Sequence, residues 1–192
     1  MSYDFYAYLN RMKYIKRWSL MHSVVEENIM EHSWQVAIIA HSLALIKNEY
    51  FGGNVDVEKT VMLSIYHESS EVITGDLPTP IKYFNKQINT AYKDLEENAC
   101  LKLLSSLPEE LKPSYSDILL PDKTTEEYAI SKCADKLSAY VKCLEELKSK
   151  NSEFKKAKQT IEKELKSLNR KEVDYFMEKI IPSFEKTLDE LQ

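Results

Sequence analysis

The chain has 192 residues, with 26 Lys and Arg against 31 Asp and Glu, a formal charge of −5, and only three glycines and six prolines. That balance argues against a nucleic-acid polymer as partner, because a phosphate backbone asks for clustered Lys and Arg, and the scarcity of Gly and Pro beside abundant Leu, Glu, Lys and Ala points to a mostly helical chain. Cys100, Cys133 and Cys143 are odd in number without C-x-x-C spacing, the start MSYDFYAYLN is unlike a signal peptide, and no apolar run is long enough to span a bilayer, so a cytoplasmic protein with no membrane partner and one domain over residues 1–192 is expected.

Apolar residues at Phe5, Tyr8, Leu9, Met12 and Ile15 predict a first amphipathic helix from Asp4 to about Lys16. Arg17 and Trp18 follow it. The pair reads either as an exposed cation beside a docked indole or as a guanidinium fork for a phosphate with a planar ring to position a ligand. Asn28 and Glu31 form a capping-box pattern ahead of a long helix from Ile29 to about Asn48. On it His32 shares a face with Val36, Ile39, Ala40 and Leu43, as a hydrogen-bonded core histidine or as a ligand. His41 lies on another stripe with Trp34, Ile38 and Leu45 and reads as structural; His22 reads as exposed.

FGGNVDVE is a loop, broken by Gly52 and Gly53, with Asp56 placed to cap a helix from Val57 to Thr74. If Val61, Ile65 and Val72 face the core, His67, Glu68 and Glu71 project together from a neighbouring face. Gly75 can close this helix in the left-handed conformation, and Pro78 and Pro80 forbid its resumption, which leaves Asp76 on a tight connection. Thr79 and Pro80 read as N-cap and first position of a new helix whose free N–H groups favour an anion. Helical spacing then runs from Phe84 to about Leu107. PEELKPSYSDILLPDKTTEE is the most loop-like stretch, a flap or a short helix over a cleft. A helix from Glu126 to Lys148 puts Ile130, Cys133, Ala134, Leu137, Val141 and Leu144 inward. Asp135 sits at the margin of that face among Ser131, Ser138 and Ala139, either in a surface pair with Lys132 or Lys136 or as a ligand. Helices near 152–168 and 171–190 finish the chain, with Pro182 set to kink the last one.

Two imidazoles and two carboxylates on separate helices, with a third carboxylate one turn away, make chemical sense together. Such mixed N/O sites suit a divalent ion that keeps water-filled positions and makes hydroxide available near neutrality.

Through RMKYIKRWSLM, ENIMEHSWQVAIIAH, FGGNV, YHESSEVITGDLPTPIKYFN, CADKLSAYVKCLEEL and DYFMEKIIPSF, nearly its whole length, the chain resembles the bacterial HD-domain 5'-deoxynucleotidases. These are metal-dependent phosphatases of deoxyribonucleoside 5'-monophosphates. The resemblance implies an all-α, single-domain helical bundle and a homodimer. It implies His32, His67, Glu68 and Asp135 as ligands of a divalent ion (Co, Mn, Mg or Zn), with His32, Glu68 and Asp135 also facing the substrate. It further implies Arg17 and Trp18 on the phosphate, Asp76, Leu77, Pro78 and Thr79 along the nucleotide pocket, and Glu71 as the acid/base residue. In the mechanism built on that mapping, Asp76 helps to position water or sugar. One departure stands out: His67-Glu68 replaces the family's His-Asp, and the added methylene carries the carboxylate about 1.5 Å further. The alternatives are an HD-type phosphohydrolase of another nucleotide, or a metal-free helical scaffold in which Glu68 marks a decayed site.

Overall fold

The computed structural model describes residues 3–191, and among them no strand forms; Lys16 and Asn28 meet only in an isolated antiparallel bridge. The first helix is shorter than its apolar period suggests: α1 spans Phe5–Leu9 and continues as a 3₁₀ turn over Asn10–Tyr14. After the irregular segment 15–28, α2 covers Ile29–Phe51. Its start is fixed by the capping box, in which the Asn28 side chain accepts from Met30 and Glu31 N–H while Glu31 returns to the Asn28 N–H. Gly52 ends it at φ +68°, a conformation that costs a glycine little.

Asp56 caps α3, Val57–Tyr66, through the Lys59 N–H. The expected single helix to Thr74 is not continuous. It stops at Tyr66, turns through 67–70 and resumes as α4, Glu71–Thr74. The buried face of α3 is Thr60, Leu63 and Ser64 rather than Val61 and Ile65, and Ile65 is exposed. Ser64 and Ser131 explain the choice: two small hydroxyl residues let α3 approach the helix opposite and bond to each other at 2.9 Å.

Gly75 has φ +72° and ψ 165°, a region open essentially to glycine alone, so it reverses the chain without being the left-handed cap expected. Thr79 is likewise not the cap: it is the first residue of α5, Thr79–Lys82, and its side chain makes no capping bond. A new helix does begin there, a single turn long. The chain continues with α6 (Lys86–Ser105), α7 (Lys112–Leu119, the helix within the loop-like stretch), α8 (Glu126–Lys148), α9 (Lys155–Ser167) and α10 (Lys171–Tyr175). Beyond α10 the 171–190 helix breaks into a π turn over Phe176–Ile180 and a 3₁₀ turn over Ile181–Glu185 containing Pro182.

α2, α3 and α8 pack against one another pairwise. Val36, Ile39, Ala40 and Leu43 of α2 meet Ile130, Ala134, Leu137 and Val141 of α8 in the main core, which Leu165, Val173, Phe176 and Ile181 close. A smaller core gathers Phe5, Leu103, Leu104, Leu107 and Leu119. Each such side chain contributes about 1.5–3 kcal/mol when removed from water. The second stripe of α2 is not core: Trp34, Ile38 and Leu45 are exposed, as is His41.

Candidate metal centre

The three helices α2, α3 and α8 converge on one polar point. His32 arrives from the first turn of α2, His67 and Glu68 from the break after α3, and Asp135 from the middle of α8. One ligand atom from each of the four lies within 4.8 Å of all the others. The break itself is part of the construction. In an uninterrupted helix the carbonyl of Ser64 would serve the Glu68 N–H; here it accepts from Nδ1 of His67 at 2.7 Å, and the side chain competes with the helix for that acceptor.

Hydrogen bonds occupy Nδ1 of both imidazoles. A carbonyl can only accept, so Nδ1 of His67 carries a hydrogen and is spent on Ser64, and its Nε2 is the nitrogen left to face the group. Ser138 donates its hydroxyl hydrogen to Gln35 Oε1 at 2.5 Å, so its oxygen accepts from Nδ1 of His32 at 3.1 Å, and that ring too presents Nε2. Both Nε2 atoms face carboxylate oxygens: His32 Nε2 is hydrogen-bonded to Asp135 Oδ1 at 3.1 Å, and His67 Nε2 is 3.1 Å from Glu68 Oε1 and 3.8 Å from Asp135 Oδ1. Nε2 of His67 is buried and has no hydrogen-bond partner. Two Nε2 atoms turned on two carboxylates take either protons or a cation between them, and two imidazoles with two carboxylates are the donors a divalent transition ion accepts.

Before an ion binds, the two rings differ in charge. Burial, then the cation of Arg17, lower His32 to about 4 against the pull of Asp135, so this ring is neutral. Burial acts in the same sense on His67, but there the neighbouring charges of Glu68 and Asp135 win and raise it to about 9, so this ring holds a second proton near neutrality that a bound ion would displace. Burial opposes ionisation of Asp135 as well, yet Lys132, 3.1 Å from its Oδ2, and the two imidazoles hold it well below the usual carboxylate range. The Lys132 pair is therefore real, and Asp135 joins the central group through its other oxygen. Glu68, one methylene longer than aspartate, still reaches the group.

Glu71 is buried, and its Oε2 has no partner. Burial and then the neighbouring Glu68 charge, to which it hydrogen-bonds, push it far above the carboxylate range. It is a carboxylic acid that holds its proton next to the ligand group. Asp76 accepts a hydrogen bond from the Trp18 backbone and is raised by burial against the opposing charge of Arg17. Leu77 and Pro78, half-buried, and Thr79, exposed, follow Asp76 along the chain and lie outside the four-residue group.

Arg17 and Trp18 are neither free nor merely docked. Trp18 Nε1 donates to Glu27 Oε2 at 3.0 Å, and Arg17 Nε lies 3.6 Å from the same oxygen. One terminal nitrogen of Arg17, Nη1, is buried without a partner. Sequence reasoning missed Glu27, Gln35 and the bonding role of Ser138, and no local pattern marks them: each matters only through a residue distant in the chain.

A helical bundle with a central His, Glu and Asp group defines the class: this is the fold of the HD-domain phosphohydrolases. The HD-domain phosphohydrolase of Listeria innocua superposes with a TM-score of 0.83 at 22% identity, over 94% of this chain and 88% of that one. The HD phosphohydrolase DatZ of cyanophage S-2L, solved bound to dA and one catalytic Zn2+ ion, superposes with a TM-score of 0.63 at 19% identity, over 95% and 96%. The particular family follows from sequence. Residues 4–184 match the family described as 5'-deoxynucleotidase YfbR-like, and the chain is 51% identical over 188 residues to the 5'-deoxynucleotidase of Erwinia tasmaniensis, covering 97% of this chain and 95% of that protein. The chain belongs to this family of HD-domain 5'-deoxynucleotidases and is a hydrolase.

Proposed function

We propose that His32, His67, Glu68 and Asp135 hold the divalent ion with which this chain, as a 5'-deoxynucleotidase, converts deoxyribonucleoside 5'-monophosphates to deoxyribonucleosides and phosphate. The observation that carries the reading is the convergence of two Nε2 atoms, both rings having their Nδ1 spent elsewhere, and two carboxylates on one point. Such an ion supplies Lewis acidity and a bound water of lowered pKa. The chain's own groups do the rest. Arg17 binds phosphoryl oxygens, its buried and unpartnered Nη1 being the free arm of a bidentate fork. Trp18 orients the phosphate beside it. Glu71, protonated at its carboxyl, can give that proton to the departing 5'-oxygen, and the carboxylate left behind can then take one from water. Asp76, tied to the Trp18 backbone, positions water or sugar, and Leu77, Pro78 and Thr79 line the nucleotide pocket. His32, Glu68 and Asp135 face the substrate as well as the ion. Phosphoryl transfer depends on positioning and charge, which this set provides.

The mixed nitrogen and oxygen donors favour Mn, Co or Zn over Mg. The apolar stripe Trp34, Ile38 and Leu45 on α2 supports a homodimer. The cysteines are unpaired, and among the described residues no helix is long and apolar enough to cross a membrane, which supports a place in the reducing cytoplasm. A negative net charge supports a mononucleotide substrate rather than a nucleic-acid polymer. The test is phosphate release from dAMP, TMP and their ribo counterparts after chelation and readdition of Mn, Co, Zn or Mg. Turnover that survives complete chelation, or a preference for triphosphates, sinks the reading.

A further inference from the structure

Glu27 stands where the substrate clamp meets the backbone that carries it. Its carbonyl accepts the Arg17 N–H at 3.0 Å, and the flanking bond from Ile29 N–H to Ile15 carbonyl, also 3.0 Å, completes a two-rung antiparallel pairing. Its side chain then returns over the same two residues. Oε2 takes the Trp18 indole hydrogen at 3.0 Å and faces Arg17 Nε at 3.6 Å, while Oε1 lies 3.8 Å from His32 Nδ1. Arg17 and Glu27 are both largely shielded, at 15% and 13% side-chain exposure, so their attraction is poorly screened.

Trp18 needs such an anchor. Its φ of +60° is unfavourable for a bulky residue and persists only where the surroundings over-determine it. The indole rests on Phe154, with centroids 5.2 Å apart, and its single donor is spent on Glu27. With Nε drawn to Glu27, the rotation of the guanidinium plane is restricted while Nη1 stays unpartnered. From this geometry we infer that Glu27 is a positioning residue for phosphate recognition: it fixes Arg17 and Trp18 in the binding conformation before substrate arrives, without touching substrate or ion. The inference rests on the assignment of Arg17 and Trp18 to the phosphate, and preorganisation of this kind increases affinity by removing the cost of ordering.

The test uses full-length protein in a Trp34→Phe background, so that Trp18 is the sole indole. Glu27→Ala raises the KM for TMP and the inhibition constant of inorganic phosphate about tenfold, the loss expected of one charge-assisted contact. It leaves Mn2+ affinity by calorimetry unchanged and removes the phosphate-dependent change in Trp18 emission. Glu27→Gln, which keeps an oxygen for the indole, restores part of that emission response. Arg17→Ala separates the two ideas: if it leaves phosphate inhibition unchanged, the clamp assignment is wrong. If it weakens phosphate while Glu27→Ala does not, the positioning role is wrong. Equal losses of Mn2+ and phosphate affinity in Glu27→Ala would place its effect on His32 and overturn the inference. Should Glu27→Ala fail to fold, an unchanged KM in Glu27→Gln overturns it instead.

Discussion

Ser138 Oγ lies 3.1 Å from Nδ1 of His32, and because its own hydrogen goes to Gln35 it can only accept there. One serine on α8 thus decides which nitrogen of a histidine on α2 faces the central group. Partners of this kind, one bond removed from a metal ligand, typically contribute 10–100-fold in metal affinity. Ser138→Ala should weaken Mn2+ binding by roughly that factor with an unchanged helical spectrum. Calorimetry decides, and undiminished affinity would show that packing alone holds the ring.

In the proposed mechanism Glu71 carries the proton, so its removal should separate binding from chemistry. Glu71→Ala is expected to release no phosphate from dAMP or TMP above background while still binding Mn2+ and keeping its fold. Turnover at the parental rate in this variant would remove Glu71 from the mechanism.

Glu68 reaches the central group with an arm one methylene longer than an aspartate's. Glu68→Ala should cost at least about tenfold in metal affinity, since an anionic ligand is lost from a buried site. Glu68→Asp should retain more of it, because the carboxylate survives. Equal losses in both variants, measured by metal titration, would mean that the length of this side chain is itself required.

The segment bearing Arg17, Trp18 and Glu27 is fastened to α8 by a buried pair. Glu146 accepts from Lys142, from the N–H groups of Val24 and Val25 and from Asn151, and Lys142 also donates to the Val25 carbonyl. Burial alone would raise Glu146; Lys142 and the three other donors outweigh it and hold its pKa at about 2, below the 4.5 of a free glutamate. The folded pKa is depressed, so the stabilisation is fully present above about pH 4.5 and is lost as pH falls through about 2. Glu146→Ala should cost on the order of 3–5 kcal/mol near neutrality, because Lys142 is left buried and unpaired. In urea unfolding the gap between parent and Glu146→Gln should narrow from pH 5 towards pH 2, to which a pH-independent gap is the contrary result.

The exposed stripe of α2 makes the oligomer testable. Trp34 is 68% exposed, Ile38 53% and Leu45 40%, all on one side of the helix. Trp34→Glu places a charge in that stripe and should yield a monomer by light scattering. A monomeric parent, or a dimer that tolerates the charge, would refute this face as the interface.

Much of this architecture is legible locally. Asn28 and Asp56 cap helices where their side chains compete best with the backbone. The apolar period of α2 and α8 identifies their core faces, and His32 falls on one of them. The continuous helix expected to Thr74 fails because His67 claims a carbonyl that only its own side-chain conformation makes available. The stripe shared by Trp34 and His41 reads as core from periodicity, since periodicity reports that a face is apolar and not what covers it.

By itself the sequence determined the helical class, the caps, and the residue types that a metal phosphatase needs, because capping and amphipathic period depend on neighbours within a turn or two. Tertiary structure alone decided that α2, α3 and α8 bring His32, His67, Glu68 and Asp135 to one point, that Ser138 and Ser64 occupy Nδ1 of both imidazoles, and that Glu27 underlies Arg17 and Trp18. Those relations join residues far apart in the chain, and their distances are set by how helices pack rather than by any spacing along them.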